Sequence, residues 1–175
     1  GVAKELQGIT PGLKYTTNLE ELGKCEHMMV LLSEITWTRG ADSDVFVSEV
    51  VEAMRMGVHR FLIHEVPGAR LDDRRHSCTF ERFFMEDTTP KLLAKAKIYG
   101  EIAMNLAGDE WRKAGLIKTV QKLAKGGGGR KPIDSEIQLE LDTHLAMAAT
   151  TATAPSTACA SSRMEDRSVH RSGRS

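Results

Sequence analysis

The stretch from Cys25 to Glu65 constrains this chain most, because its hydrophobic pattern passes from a short continuous run to a helical period and back again. His27-Met28-Met29-Val30-Leu31-Leu32-Ser33 is almost wholly apolar, as a strand covered on both faces of a parallel sheet must be. A polar loop from Glu34 to Asp42 follows, carrying Trp37 and Gly40, and either Ser43 or Asp44 offers an oxygen to the unpaired N–H groups of a helix's first turn. Val47, Val51, Met54 and Val58, with Phe46, Val50 and Ala53, then recur at helical spacing, while Glu49, Glu52 and Arg55 fall largely outside that face. The spacing predicts a helix to about Met56, closed by Gly57 in a left-handed cap. Val58 to His64 is a second apolar run. Strand, helix and strand together make a β-α-β unit, and hence an α/β fold built on a parallel sheet with flanking helices.

The flanking segments add elements to this unit. Pro11-Gly12 reads as a turn, and Asn18 with Glu21 forms a capping box for a short helix over Leu19 to Leu22. After the second strand, Pro67-Gly68 leads into a charged stretch, Ala69 to Ser77, read as a solvated loop. Phe80, Phe83 and Phe84 form an aromatic cluster that docks on the core. Thr88-Thr89-Pro90 places proline at the first position of a helix over Lys91 to Lys97. Ile98 to Leu106 is a third strand. Asp109 caps a helix from Glu110 to about Ala124, whose apolar side is Trp111, Ala114, Leu116, Ile117, Val120 and Leu123. Residues 126–132 form a glycine-rich linker, residues 133–149 an isolated amphipathic helix, and residues 150–175, rich in alanine, threonine, serine and arginine without periodicity, a disordered tail.

Charge favours neither of two partner classes. Lysine plus arginine equals aspartate plus glutamate at 24 each, so no net field draws the chain to nucleic acid or to an anionic membrane surface. No apolar run is long enough to span a bilayer, and the N-terminus lacks a secretory pattern. Three cysteines at unrelated spacings argue against a disulfide framework and point to the cytoplasm. A start at Gly1-Val2 is most simply that of a fragment or processed product.

Parallel sheets bind ligands outside the carboxyl ends of their strands. Glu34 and Glu65 stand just beyond the two strands, where each is either a crevice carboxylate or an ordinary solvated acid. Glu49, about one turn into the helix, is either a third crevice carboxylate or a surface helix acid. The pairs His76/Cys78 and His59/His64 match no zinc spacing, so no metal site is expected. Cys78 has no sequence-visible activation as a nucleophile. Gly126 to Gly129, followed by Arg130-Lys131, follows a helix instead of joining a strand to one, so a flexible linker is a better reading than a phosphate loop.

The order Pro11-Gly12, short helix, Met28 to Ser33, loop, acid-bearing helix and Phe61 to His64 resembles a Toll/interleukin-1 receptor (TIR) domain. That family has a Pro-Gly loop, a strand ending in serine, and a Ser-x-Trp-Cys-x-x-Glu-Leu motif opening the next helix. Here the motif reads Ser43-Asp44-Val45-Phe46-Val47-Ser48-Glu49-Val50, with Val45-Phe46 in place of Trp-Cys. Ile98 to Leu106 followed by Asp109-Glu110-Trp111 looks like the family's last strand and helix, so residues 1–125 are expected to form a partial TIR-like domain of flavodoxin-like class. Counterparts of the family's first strand, first helix and second strand are missing. The sheet is therefore expected to be incomplete, with an exposed edge and a small core.

The resemblance implies two functions. One is a signalling module that acts by self-association or by docking to other TIR-like domains. The other is cleavage of the nicotinamide–ribose bond of NAD, with NAD as substrate and no resident cofactor. In that reaction Glu49 would stabilise the positive charge that develops on the ribose, and Trp37, Ser43 and Glu34 are the candidate binding residues; Trp37 is equally readable as a core or surface anchor. An unrelated flavodoxin-like nucleotide binder or scaffold is the third class, since fold alone does not fix function.

Overall fold

A computed structural model describes residues 1–68, 75–85, 87–108, 110–126 and 133–152. Three parallel strands, β1 (His27–Leu32), β2 (His59–Glu65) and β3 (Met104–Leu106), lie in the order β1-β2-β3. His27 stands opposite His59 and Leu32 opposite His64, while Ile63 to Glu65 run beside Met104 to Leu106. In the central strand β2 every residue from Phe61 to Glu65 is buried, as a parallel strand covered on both faces requires.

Strand alternation sends the two sets of β2 side chains to different layers. Leu62 joins Val30 and Leu32 of β1 under helix α2 (Ala41–Arg55), with Val47, Val50, Val51 and Met54 as the helix's contribution. Phe61, Ile63 and Leu106 pack on the opposite face against α1 (Val2–Ile9) and α4 (Glu110–Ala124), through Leu6 and Leu116. The fold is thus α/β, a three-stranded parallel sheet between helical layers. Helix α3 (Lys91–Lys95) and the short 3-10 turn Phe80–Phe84 complete the α2 side with Leu93 and Phe83.

Helix α5 (Ser135–Ala152) is not isolated. Leu141 is fully buried in the same core as α2, with Ile137 and Leu145 packed beside it, and Lys95 pairs with Glu140 across the α3–α5 contact. A free apolar stripe on a helix is stable only when covered, and α2 and α3 supply the cover.

Local details differ from the pattern reading at identifiable points. Helix α1 precedes the elements expected from the pattern: Val2 and Leu6, with Ile9 partly covered, pack at helical spacing against β2 and α4. Helix α2 starts at Ala41 with Gly40 as its cap, at φ 61°. The Ser43 hydroxyl is occupied in the preceding loop, accepting from Arg39 N and donating to the Thr36 carbonyl. Gly57 does end the helix at φ 68°. The Asn18 side chain accepts from Glu20 N, and the helix it caps, Leu19–Lys24, is 3-10. Pro90 is the residue before α3, not its first. The third strand is confined to Met104–Leu106, because turns fill residues 96–100, Lys97 among them at φ 54°. Glu65 lies within β2, not beyond it. The Asp109 cap, most of the glycine-rich linker, the 69–74 part of the charged loop and the tail beyond residue 152 lie outside the described residues.

Among the described residues no helix is long and apolar enough to cross a membrane, and no group of three or more His, Cys, Asp or Glu side chains is arranged to hold a metal ion.

Candidate functional site

A cleft of about 530 Å³ opens at the carboxyl ends of β2 and β3, where a parallel sheet with this layering places ligands. His64 and Asn105, paired across the two strands, form its floor. Phe80 and Tyr99 supply aromatic wall, and Glu81 and Glu101 are among the lining residues, the Glu101 carboxylate being turned to His59 Nε2 at 2.8 Å.

His64 is fixed on all sides. Its ring stands edge-on to Phe80 and Phe83, with centroids 5.3 and 5.6 Å away. Its Nε2 is 2.8 Å from the Cys78 carbonyl oxygen, an atom that only accepts, so Nε2 carries the proton. Burial pushes its pKa below the usual histidine value, against the opposing effect of hydrogen bonds to Cys78 and Asn105. The histidine is therefore held neutral with its donor already used. Burial likewise pushes the Cys78 thiol up, which disfavours the thiolate a nucleophile needs.

Tyr99 ties the cleft wall to the β1–α2 loop through a one-way chain of donors. Trp37 Nε1 donates to Tyr99 Oη at 2.9 Å, and Thr89 Oγ1 lies 2.8 Å from that oxygen and 2.7 Å from the Phe83 carbonyl. Because the carbonyl can only accept, Thr89 donates to it and Tyr99 donates to Thr89. Burial raises the Tyr99 pKa, keeping the phenol protonated throughout the neutral range.

The residues singled out in the sequence are dispersed around this cleft. Trp37 is buried, with its ring stacked on Phe46 at 5.5 Å and its N–H on Tyr99. Ser43 is buried inside its own loop. Glu34 is exposed, and its backbone N–H is anchored on the His76 carbonyl at 2.7 Å. Glu49 is half-buried on α2 and is not among the residues lining the cleft. None of the four meets another at a common ligand position.

Glu65 belongs to a different constellation. It is 3% exposed on the α1/α4 side of the sheet, and its two oxygens receive Arg112 Nη1 and Nη2 at 2.8 and 2.9 Å. The same guanidinium grips Glu5 through Nε and Nη2. Helices α1 and α4 and strand β2 are thereby pinned at one point. Arg112 has no place in the sequence reading of the site, although Arg112, Leu116 and Thr119 fall on one helical stripe and are the buried residues of α4. Chemically the cleft offers acidic residues, an amide and aromatic surface, a recognition set, and among its described residues no nucleophile stands beside a free base.

A scan against family models, a search of curated proteins and a search of solved structures each return no match for this chain.

Proposed function

We propose that the chain is a TIR-like interaction module that acts in signalling by self-association or by docking to a domain of its own kind. One observation carries this reading. Strand β1 pairs only with β2 among the described residues, so the apolar run His27–Leu32 has an edge without a neighbouring strand. Leu31 is 37% exposed there. An open apolar edge of this kind is a template for a strand from another chain, with main-chain hydrogen bonds giving affinity and alternate side chains giving selectivity. Within this reading the module works in the cytoplasm, where free thiols such as Cys25 and Cys78 stay reduced. The NAD glycohydrolase also implied by the resemblance has less support, since Glu49 is outside the lining of the cleft.

Sedimentation velocity over a hundredfold concentration range tests the proposal. A concentration-dependent dimer or higher assembly, weakened at least tenfold by Leu31→Lys, is expected; a monomer at every concentration, alone and with TIR-like domains added, would refute it. Nicotinamide release from NAD, measured in parallel and abolished by Glu49→Gln in a folded protein, would replace it with the enzyme.

A further inference from the structure

The first rung of the β1–β2 ladder is a pair of histidines. His27 and His59 stand opposite each other in register, and their Nδ1 atoms are 2.8 Å apart. The ring centroids are 4.9 Å apart with the planes at 76°, so the two nitrogens point almost head-on. Two imidazole nitrogens at this separation require one proton between them; two lone pairs, or two N–H groups, would repel.

The remaining nitrogens fix how many protons the pair holds. His59 Nε2 is 2.8 Å from a carboxylate oxygen of Glu101 and so carries a hydrogen. His27 Nε2 is buried with no hydrogen bond of ordinary geometry among the described residues, although the Leu123 carbonyl in the last turn of α4 favours a proton there. Two neutral imidazoles carry two ring protons, one here on His59 Nε2 and one on the line between the rings. A third would have to sit on the buried His27 Nε2.

We propose that His27 and His59 form an acid-sensitive latch: they share one proton that holds the start of β1 against β2, and uptake of a further proton forces that end of the edge strand open.

The surroundings set the direction. Burial and the positive charge of His59 hold His27 below its usual pKa, while Glu26, beside it in sequence, and Glu101, from the loop before β3, act in the opposite sense. From α4, Lys122 Nζ lies 5.5 Å from the centre of the Phe61 ring, which is itself edge-on to His27, and adds positive charge on that side. Arg60, next to His59 on β2, is itself under the influence of Glu101. An unfolded His27 takes up its proton near pH 6.5. The closed latch refuses it, so the open form binds more protons. Opening is accordingly favoured as pH falls below about 6.5, by up to about tenfold for each pH unit. Glu101 also lines the cleft, so the latch and the cleft wall share a residue.

Nitrogen NMR of the full chain tests this directly. A through-hydrogen-bond coupling between the two Nδ1 nuclei is expected near pH 7 and lost in acid. Hydrogen exchange at Met28 should accelerate below pH 6.5, beyond its intrinsic pH dependence, by up to about tenfold per unit. In His27→Asn, whose amide N–H replaces the Nδ1 donor and does not titrate, that acceleration should vanish. No coupling at any pH, two histidines titrating independently near 6.5, or an unchanged acid acceleration in His27→Asn would each overturn the latch; the coupling is read on the unmodified chain and does not depend on the variant folding.

Discussion

Arg112 and Glu65 meet face to face in the interior, both nitrogens of one guanidinium fork against both oxygens of one carboxylate, at 2.8 and 2.9 Å. The pair joins the end of the central strand to α4 at a point where both side chains are largely buried. Such geometry makes the pair costly to break from one side and cheap to replace whole. Arg112→Met should destabilise the fold by about 3–5 kcal/mol, because Glu65 is left buried and unpaired. Combining it with Glu65→Leu should recover most of that loss, since Glu5 is one-third exposed and can turn to water. Urea denaturation followed by circular dichroism reads both values. A double variant as unstable as the single one would mean that the charges do more than satisfy each other.

Glu5 makes a second claim on the same arginine, and its consequence appears in acid. The Arg112 hydrogen bond holds the Glu5 carboxyl below its ordinary value of 4.5, against an opposing effect of burial. Near that pH the unfolded chain therefore binds more protons than the folded one, so stability rises with pH. The contribution is fully present above about pH 4.5 and is lost as pH falls through the lowered folded value. Glu5→Gln should weaken the protein at pH 7, with the difference from wild type shrinking toward pH 3. A difference that is constant with pH would show that packing of the side chain, not its charge, is what α1 contributes.

The hydrogen-bond chain from Trp37 through Tyr99 to Thr89 gives the β1–α2 loop a spectroscopic handle. Trp37 is buried, and Trp111 is 72% exposed. In Trp111→Phe the remaining emission should be blue-shifted and resistant to iodide, whereas Trp37→Phe should leave only emission that iodide quenches. Trp37→Phe keeps a ring against Phe46 but removes the donor to Tyr99, whose oxygen still has Thr89 as partner. The expected cost is about 1 kcal/mol, that of one hydrogen bond lost between groups that are otherwise satisfied. A red, quenchable Trp37 signal would mean that the loop does not close on Tyr99 in solution.

The β1–α2–β2 unit was legible in the sequence because each of its elements repeats one physical requirement over many residues. Val30 and Leu32 need cover, Val47, Val50, Val51 and Met54 share one helical face, and Gly57 takes the one backbone conformation that ends it. Where a boundary depends on a single hydrogen bond, pattern failed: Ser43 could cap α2 or hold the preceding loop, and the neighbouring carbonyl of Thr36 decided the matter. The third strand is shorter than the apolar pattern suggests because Ile98, in a turn, and Ala103, just before β3, are apolar for a different reason: they pack against the α2-side core. The site was less legible still. Glu65 was visible as a strand-end acid, but its partner lies 47 residues away and the third member of the triad lies 107 residues from that partner. His27 and His59 occupy equivalent first positions in two strands, a signal available from the sequence once the register is known and invisible before.

At Gly115 a helix comes close to the sheet, and this contact yields a sharp sign test. A side-chain carbon at Gly115 would lie 3.0 Å from the Asn105 carbonyl oxygen and 3.1 Å from a methyl of Leu106, so α4 rests almost backbone to backbone on β3. Helix propensity alone predicts that Gly115→Ala, in the interior of α4, stabilises by about 1 kcal/mol. The contact predicts the reverse, because a carbonyl held in a strand cannot retreat as a flexible side chain can, and overpacking of this kind costs about 1–3 kcal/mol. The net expectation is a loss of up to about 2 kcal/mol when these two opposing effects are combined. Asn105 is also on the floor of the cleft, so nuclear magnetic resonance shifts should spread from its amide to His64 across the β2–β3 rung. A variant more stable than wild type, with the Asn105 and His64 signals unmoved, would mean that α4 stands farther from β3 than these distances state.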